Sequence, residues 1–145
     1  PKLLSKLAAL ELCGWIEGEQ DRLIRTAAAT RIDPAWLESY VIAKTYGFNY
    51  QDHFRGMLTK LFGEVITRKI ESAFEASHPG DLDQLKSDLG ALWKLRCNFA
   101  HADIGANVAA QQTFNAPSWS INKLRIIKRT LTNYEACMIR VLTGI

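Results

Sequence analysis

Apolar residues recur at every third and fourth position along almost the whole of this 145-residue chain, and nowhere do they alternate between hairpin turns. Steps of three and four put side chains on one face of a helix, whereas a half-buried strand needs a period of two. The expected fold class is therefore all-α: a helical bundle of about five helices in a single domain over 1–145, with one long loop before the last helix. Nearly half of the residues are hydrophobic (48%), enough for a proper core in one domain.

Local signals divide the pattern. A first helix is expected over 3–29, with Leu3, Leu7, Leu10 and Gly14 on one stripe, closed by Thr30-Arg31-Ile32-Asp33-Pro34. Asp33 is a good N-cap and Pro34 suits the first helical position, so a second helix follows through Leu37, Tyr40 and Val41 and stops near Gly47. A long third helix over 51–76 carries Phe54, Met57, Leu58, Leu61, Phe62, Val65, Ile66, Ile70 and Phe74, and ends at the breaker Ser77-His78-Pro79-Gly80. Asp81 with Gln84 reads as a capping box opening a fourth helix that continues at least to Phe99. The Gly-, Asn-, Gln- and Pro-containing stretch 104–118 is the long loop. A last helix over 119–142 turns Leu124, Ile127, Leu131, Tyr134, Met138 and Val141 inward, and Arg125, Lys128, Arg129 and Arg140 to the other side.

Three cysteines, odd in number and widely spaced, indicate neither a disulfide framework nor a zinc site, and a reducing intracellular setting fits them. No run approaches the ~18 apolar residues of a membrane span, and no secretory leader is visible, so a cytoplasmic protein with no membrane partner is expected. The chain opens at Pro1 without a methionine, which fits either simple processing or excision from a longer protein. A net charge of +3 and a pI near 8.9 permit an anionic partner but fall short of a polybasic footprint. Phosphate-cradling glycine loops, paired catalytic carboxylates and nucleophile elbows are missing from the sequence.

One stretch breaks the pattern. Along 92-LWKLRCNFAHAD-103 the fourth helix steps Leu82, Leu85, Leu89, Leu92 and then Phe99, and the missing step is filled by Arg96. A buried guanidinium must meet a carboxylate, face a protein–protein seam or reach a cleft that holds an anion. Glu17 is a candidate carboxylate partner. His101 lies five residues on, about 140° around the helix and about 7.5 Å along it, so the two do not share one narrow face. Asn98 and Cys97, three and four residues before His101, are near enough on a helix to orient its ring.

Arg96-Cys-Asn-Phe-Ala-His101 has the R-x4-H spacing, and on it the chain resembles the HEPN superfamily, closest to the stand-alone bacterial members of RiboL-PSP type. The first-helix segment Leu12-Cys13-Gly14-Trp15-Ile16-Glu17-Gly18 is similar in style. The resemblance implies a helical domain that dimerises about the motif helix and, in active members, a metal-independent endoribonuclease with no cofactor. His101 would then act as acid-base group at the RNA 2′-hydroxyl or the leaving 5′-oxygen, and Arg96 would hold the scissile phosphate. A 2′,3′-cyclic phosphate is the implied product, and the implied partners are RNA, a second copy of the chain, and an antitoxin or other regulator if the chain is a toxin or antiviral defence effector. Many catalytic members have Asn directly after the Arg, where this chain has Cys97. One branch has Tyr two residues after the His, where this chain has Asp103. An acidic Asp103 near the site would raise the pKa of His101 and repel phosphate. Lys94, Arg125, Lys128 and Arg129 are the candidate RNA-binding cations.

The alternative belongs to another class: a HEPN-like module for dimerisation or partner binding, in which Arg96 forms an ion pair and His101 caps a helix end. His53 and His78 have no supporting constellation and are expected to be structural or solvated. Trp15, Trp36, Trp93 and Trp119 read as core and interface residues.

Overall fold

The computed structural model describes residues 2–101 and 117–144, and at 2, 100 and 101 the backbone alone. Among the described residues there is no strand, and five helices make up the expected all-α bundle. They are α1 (Lys2–Ala28), α2 (Pro34–Leu37, continued by a π-helical turn, Glu38–Ile42), α3 (Arg55–Ser77), α4 (Asp81–His101) and α5 (Pro117–Thr143). A second π-helical turn, Tyr50–Phe54, leads into α3. The expected loop lies, up to residue 116, outside the described residues.

α2 starts as its sequence says: the Asp33 carboxylate accepts from the Trp36 N–H at 2.9 Å, with Pro34 in the first turn. α4 starts differently. Gln84 N–H donates to the Gly80 carbonyl and its side-chain amide donates to Asp88, so no capping box forms with Asp81. Gly80, at φ 85°, turns the chain into the helix directly, and the Glu75 carboxylate accepts from the Gly80 N–H.

The buried face of α1 is not the stripe of leucines. Leu3 is 68% and Leu7 49% exposed, while Ala9, Leu12, Cys13, Ile16, Gln20, Leu23, Ile24 and Ala27 are buried. Small residues take that face because α1 packs on two helices at once, and Ala and Cys let their backbones come close. It lies parallel to α5, tied by Arg22 to Glu135 at 2.7 Å and by Arg31 to the Leu142 carbonyl at 2.9 Å. It lies antiparallel to α4, where the Lys6 ammonium sits over the Phe99 ring and the Cys13 thiol faces the Leu92 carbonyl.

α3 is not one long rod. Gly63 takes φ 82° and ψ 168°, a region that essentially only glycine enters, and the helix breaks there. Val65, just beyond, is exposed. Tyr50, Phe54, Phe74 and Tyr134 pack ring on ring in the core beside this break, bringing the π-helical turn, α3 and α5 together. α5 buries Ile127, Leu131, Tyr134 and Met138 as expected. Of the tryptophans, Trp15, Trp93 and Trp119 are half-buried against the core, but Trp36 is exposed and leans on exposed Tyr40 at 5.9 Å.

Candidate functional site

The second half of α4 presents a buried edge of Leu89, Leu92 and Leu95, and Arg96 stands beside that edge rather than on it: its side chain is 40% exposed. The gap in the leucine ladder is closed by Leu95. Of the three outcomes open to the guanidinium, the one realised within this chain is the carboxylate: Arg96 Nη1 donates to Glu17 Oε2 of α1 at 2.7 Å. Glu17 is 32% exposed, so the pair sits at the rim of the α1–α4 seam.

The direction of this arm matters. Helical side chains lean toward the N-terminus of their helix, and Arg96 does so, its Cζ lying 5.9 Å from the centre of the Trp93 ring three residues back. His101 is the last residue of α4, about 7.5 Å along the axis the other way. Its side chain, and Asp103 altogether, lie outside the described residues. Within one chain the backbone of α4 therefore separates the two ends of the R-x4-H motif, and Arg96 reaches away from His101.

Other residues converge on Trp93. His53 meets its ring edge-on at 5.0 Å and Phe48 at 5.4 Å. The Asn49 N–H donates to His53 Nδ1 at 3.0 Å, which leaves the ring proton on Nε2. Asn49 in turn caps the π-helical turn through its bond with the Asp52 N–H. Gly47, at φ 148°, brings its backbone against the imidazole: a Cβ there would come within 2.3 Å of His53 Cε1. Gln20 of α1 anchors the segment by donating to the Phe48 carbonyl at 2.8 Å. His53 thus belongs to a constellation that its sequence neighbours did not reveal. The link runs through Trp93, forty residues downstream, and the one local signal was Gly47-Phe48-Asn49 ahead of a helix.

Electrostatics follow the burial. Desolvation lowers the pKa of His53, with Asp52 and Glu17 pulling the other way, so the ring favours its neutral form. Burial pushes the Cys13 thiol up to about 11, with Arg96 opposing and Glu17 adding, which leaves a protonated, unreactive S–H beneath the ion pair.

The remaining candidates are placed as follows. Cys97 is half-buried and Asn98 exposed, each next to Arg96 in the chain but with no side-chain hydrogen bond among the described residues. Lys94 on α4 and Arg125, Lys128 and Arg129 on α5 are exposed. Among the described residues no cluster of three His, Cys, Asp or Glu side chains is placed to hold a metal ion, and no helix is long and apolar enough to cross a membrane. What the site offers chemically is a reachable guanidinium on an aromatic floor, with a carboxylate and an imidazole close by. No family model, curated protein or solved structure matches the chain.

Proposed function

We propose that this chain is a HEPN-type endoribonuclease that works without a metal. The observation that carries the reading is the R-x4-H motif on the second half of α4, with Arg96 half-exposed instead of sealed in the core. In the reaction, the 2′-oxygen bonds to the adjacent phosphorus as its proton leaves, and the P–O5′ bond breaks as the departing oxygen is protonated. The product is a 2′,3′-cyclic phosphate and a 5′-hydroxyl. His101 serves the proton transfers, its ordinary pKa lying near neutrality, and Arg96 offsets charge on the phosphorane. Exposed Lys94, Arg125, Lys128 and Arg129 supply cations for the RNA backbone.

The backbone separation of Arg96 and His101 favours an active unit of two chains, with the Arg of one meeting the His of the other across a two-fold axis. A cytoplasmic toxin or defence effector held by an antitoxin or similar regulator is the biological role that fits such an activity. A second reading draws on the Arg96–Glu17 pair, which gives the guanidinium a purely structural partner and suits a non-catalytic dimerisation or partner-binding module. The two separate in one assay: purified protein, total RNA and EDTA, followed by analysis of the fragment ends. Cyclic phosphates that disappear with His101→Ala support the nuclease; intact RNA supports the module.

A further inference from the structure

The Arg96 guanidinium uses one of its five N–H donors, a single bond from Nη1 to Glu17. The other four have no acceptor among the described residues, so the planar fork that matches a carboxylate or phosphate edge to edge is unfilled. On the far side of the shared indole, His53 is locked by Asn49 into the tautomer with its proton on Nε2, and that donor also lacks an acceptor among the described residues. Glu17 lies between the two in charge terms: it binds Arg96 directly and acts on the His53 ring through space.

We propose that Glu17 is the resting occupant of a phosphate seat built within one chain by Arg96 and His53 on the floor of Trp93, and that a phosphate ester binds by displacing the Glu17 carboxylate. The ligand class rests on the nuclease reading, whereas the seat itself rests on this geometry. A half-exposed ion pair contributes little net stability, because solvent screens both charges, so exchanging one anion for another is inexpensive. A phosphate has more oxygens than a carboxylate and can accept from the open guanidinium fork and from His53 Nε2–H together. The imidazole faces Asp52 on its own turn, Glu17 on α1 and Arg96 on α4, with the neutral Cys13 thiol below the ion pair. A bound phosphate adds negative charge to this set and favours the imidazolium, so binding tightens as the pH falls toward the range where His53 takes up a proton. Gly47 is what lets the ring lie in this place.

The test is a titration of the intact, isotopically labelled chain with inorganic phosphate, followed by NMR at the His53 imidazole and the Trp93 indole. Phosphate is expected to shift both signals together and to raise the pKa of His53. Glu17→Gln is expected to tighten phosphate binding roughly fivefold by removing the competing charge, while Arg96→Gln and His53→Gln weaken it. Unchanged affinity in Glu17→Gln, or a His53 signal indifferent to phosphate in the wild-type chain, overturns the seat. The wild-type measurement needs no variant to fold, and a gain in affinity in Glu17→Gln is not an effect of misfolding. RNA cleavage is scored separately. Phosphate bound as described with RNA left intact sinks the nuclease reading and leaves the seat standing; RNA cleaved by a chain whose His53 ignores phosphate does the reverse.

Discussion

Arg55 donates to Glu71 at 2.7 Å, although the two belong to the same helix and stand sixteen residues apart. In a straight helix that spacing is about 24 Å, beyond the combined reach of the two side chains. The contact exists because α3 folds back at Gly63, and Arg55 closes the fold by also binding Glu64 just past the break. The Tyr50 hydroxyl joins the same carboxylate at 2.9 Å and lies 3.1 Å from the Tyr134 hydroxyl, tying the break to the aromatic core.

Gly63→Ala is therefore expected to destabilise the protein by about 1–3 kcal/mol, the cost of holding a non-glycine residue in this backbone region. No atom lies within 4 Å of the added methyl, so the loss is conformational and not steric. Gly14→Ala provides the control. That glycine is exposed in the middle of α1 with an equally open surround, and the change should stabilise by up to about 1 kcal/mol. Urea denaturation of the two variants checks both signs.

The contrast between these two glycines shows what could be read in advance and what could not. Periodicity announces helices, and the Asp33-Pro34 pair announces a start, because both are local. Gly63 sits in a run whose apolar spacing is unbroken on either side, and a glycine within a helix is tolerated often enough to carry no message. Which face of α1 turns inward was also hidden: the leucines at 3 and 7 outweigh Ala9 and Cys13 in hydrophobicity, yet close packing on two helices selects the small ones. At the site, Glu17 was legible as a candidate partner because few carboxylates lie on the first helix near the motif. His53 was not, since its neighbours Trp93, Gly47 and Glu17 come from three separate segments.

His53 should leave a mark on the pH dependence of stability. Its pKa in the folded chain is depressed below the ordinary 6.5 by burial, so the unfolded chain binds the proton first as the pH falls. The unfolded state then carries more protons than the folded one, and stability drops as the pH goes from above 6.5 down through the folded pKa. Protonation at Nδ1 also removes the acceptor for the Asn49 N–H. In His53→Gln this component is absent. Unfolding free energies of the two proteins between pH 7.5 and 5, compared pairwise so that the carboxylates cancel, should converge as the pH falls. Parallel curves would refute the assignment.

The three thiols should differ in reactivity. Cys13 and Cys137 are buried, and Cys13 is held protonated, whereas Cys97 is half-buried beside Arg96. Brief iodoacetamide treatment of the native protein, read by intact mass, should add one label, on Cys97, and three after denaturation. Labelling of Cys13 at a comparable rate would contradict the packing of α1 on α4.

If the chain is a toxin, its expression should arrest growth, and Arg96→Ala or His101→Ala should relieve the arrest. Growth curves under induction decide this, with soluble protein levels matched. Equal toxicity of both variants would remove the argument from the R-x4-H motif.

The crossed arrangement of Arg96 and His101 has the sharpest consequence. Arg96 leans over Trp93 toward the start of α4 while His101 ends the helix, so a pair drawn from one chain would require the arginine to leave both Glu17 and the indole. A partner helix crossing at the two-fold axis removes that requirement. The chain should therefore sediment as a dimer at micromolar concentration, burying on the order of 1,600 Å². Arg96→Ala and His101→Ala should each lose at least about 10²-fold in RNA cleavage as homodimers. Mixed and allowed to exchange subunits, they form heterodimers in which one crossed pair is intact at both positions and the other lacks both, so activity should partly return. Heterodimers that form yet stay inactive would exclude the crossed pair and leave either a same-chain pair or a single site needing all four side chains. Sedimentation of Arg96→Ala alone is the accompanying control: a variant that no longer dimerises assigns Arg96 to the interface and moves the weight to the non-catalytic module.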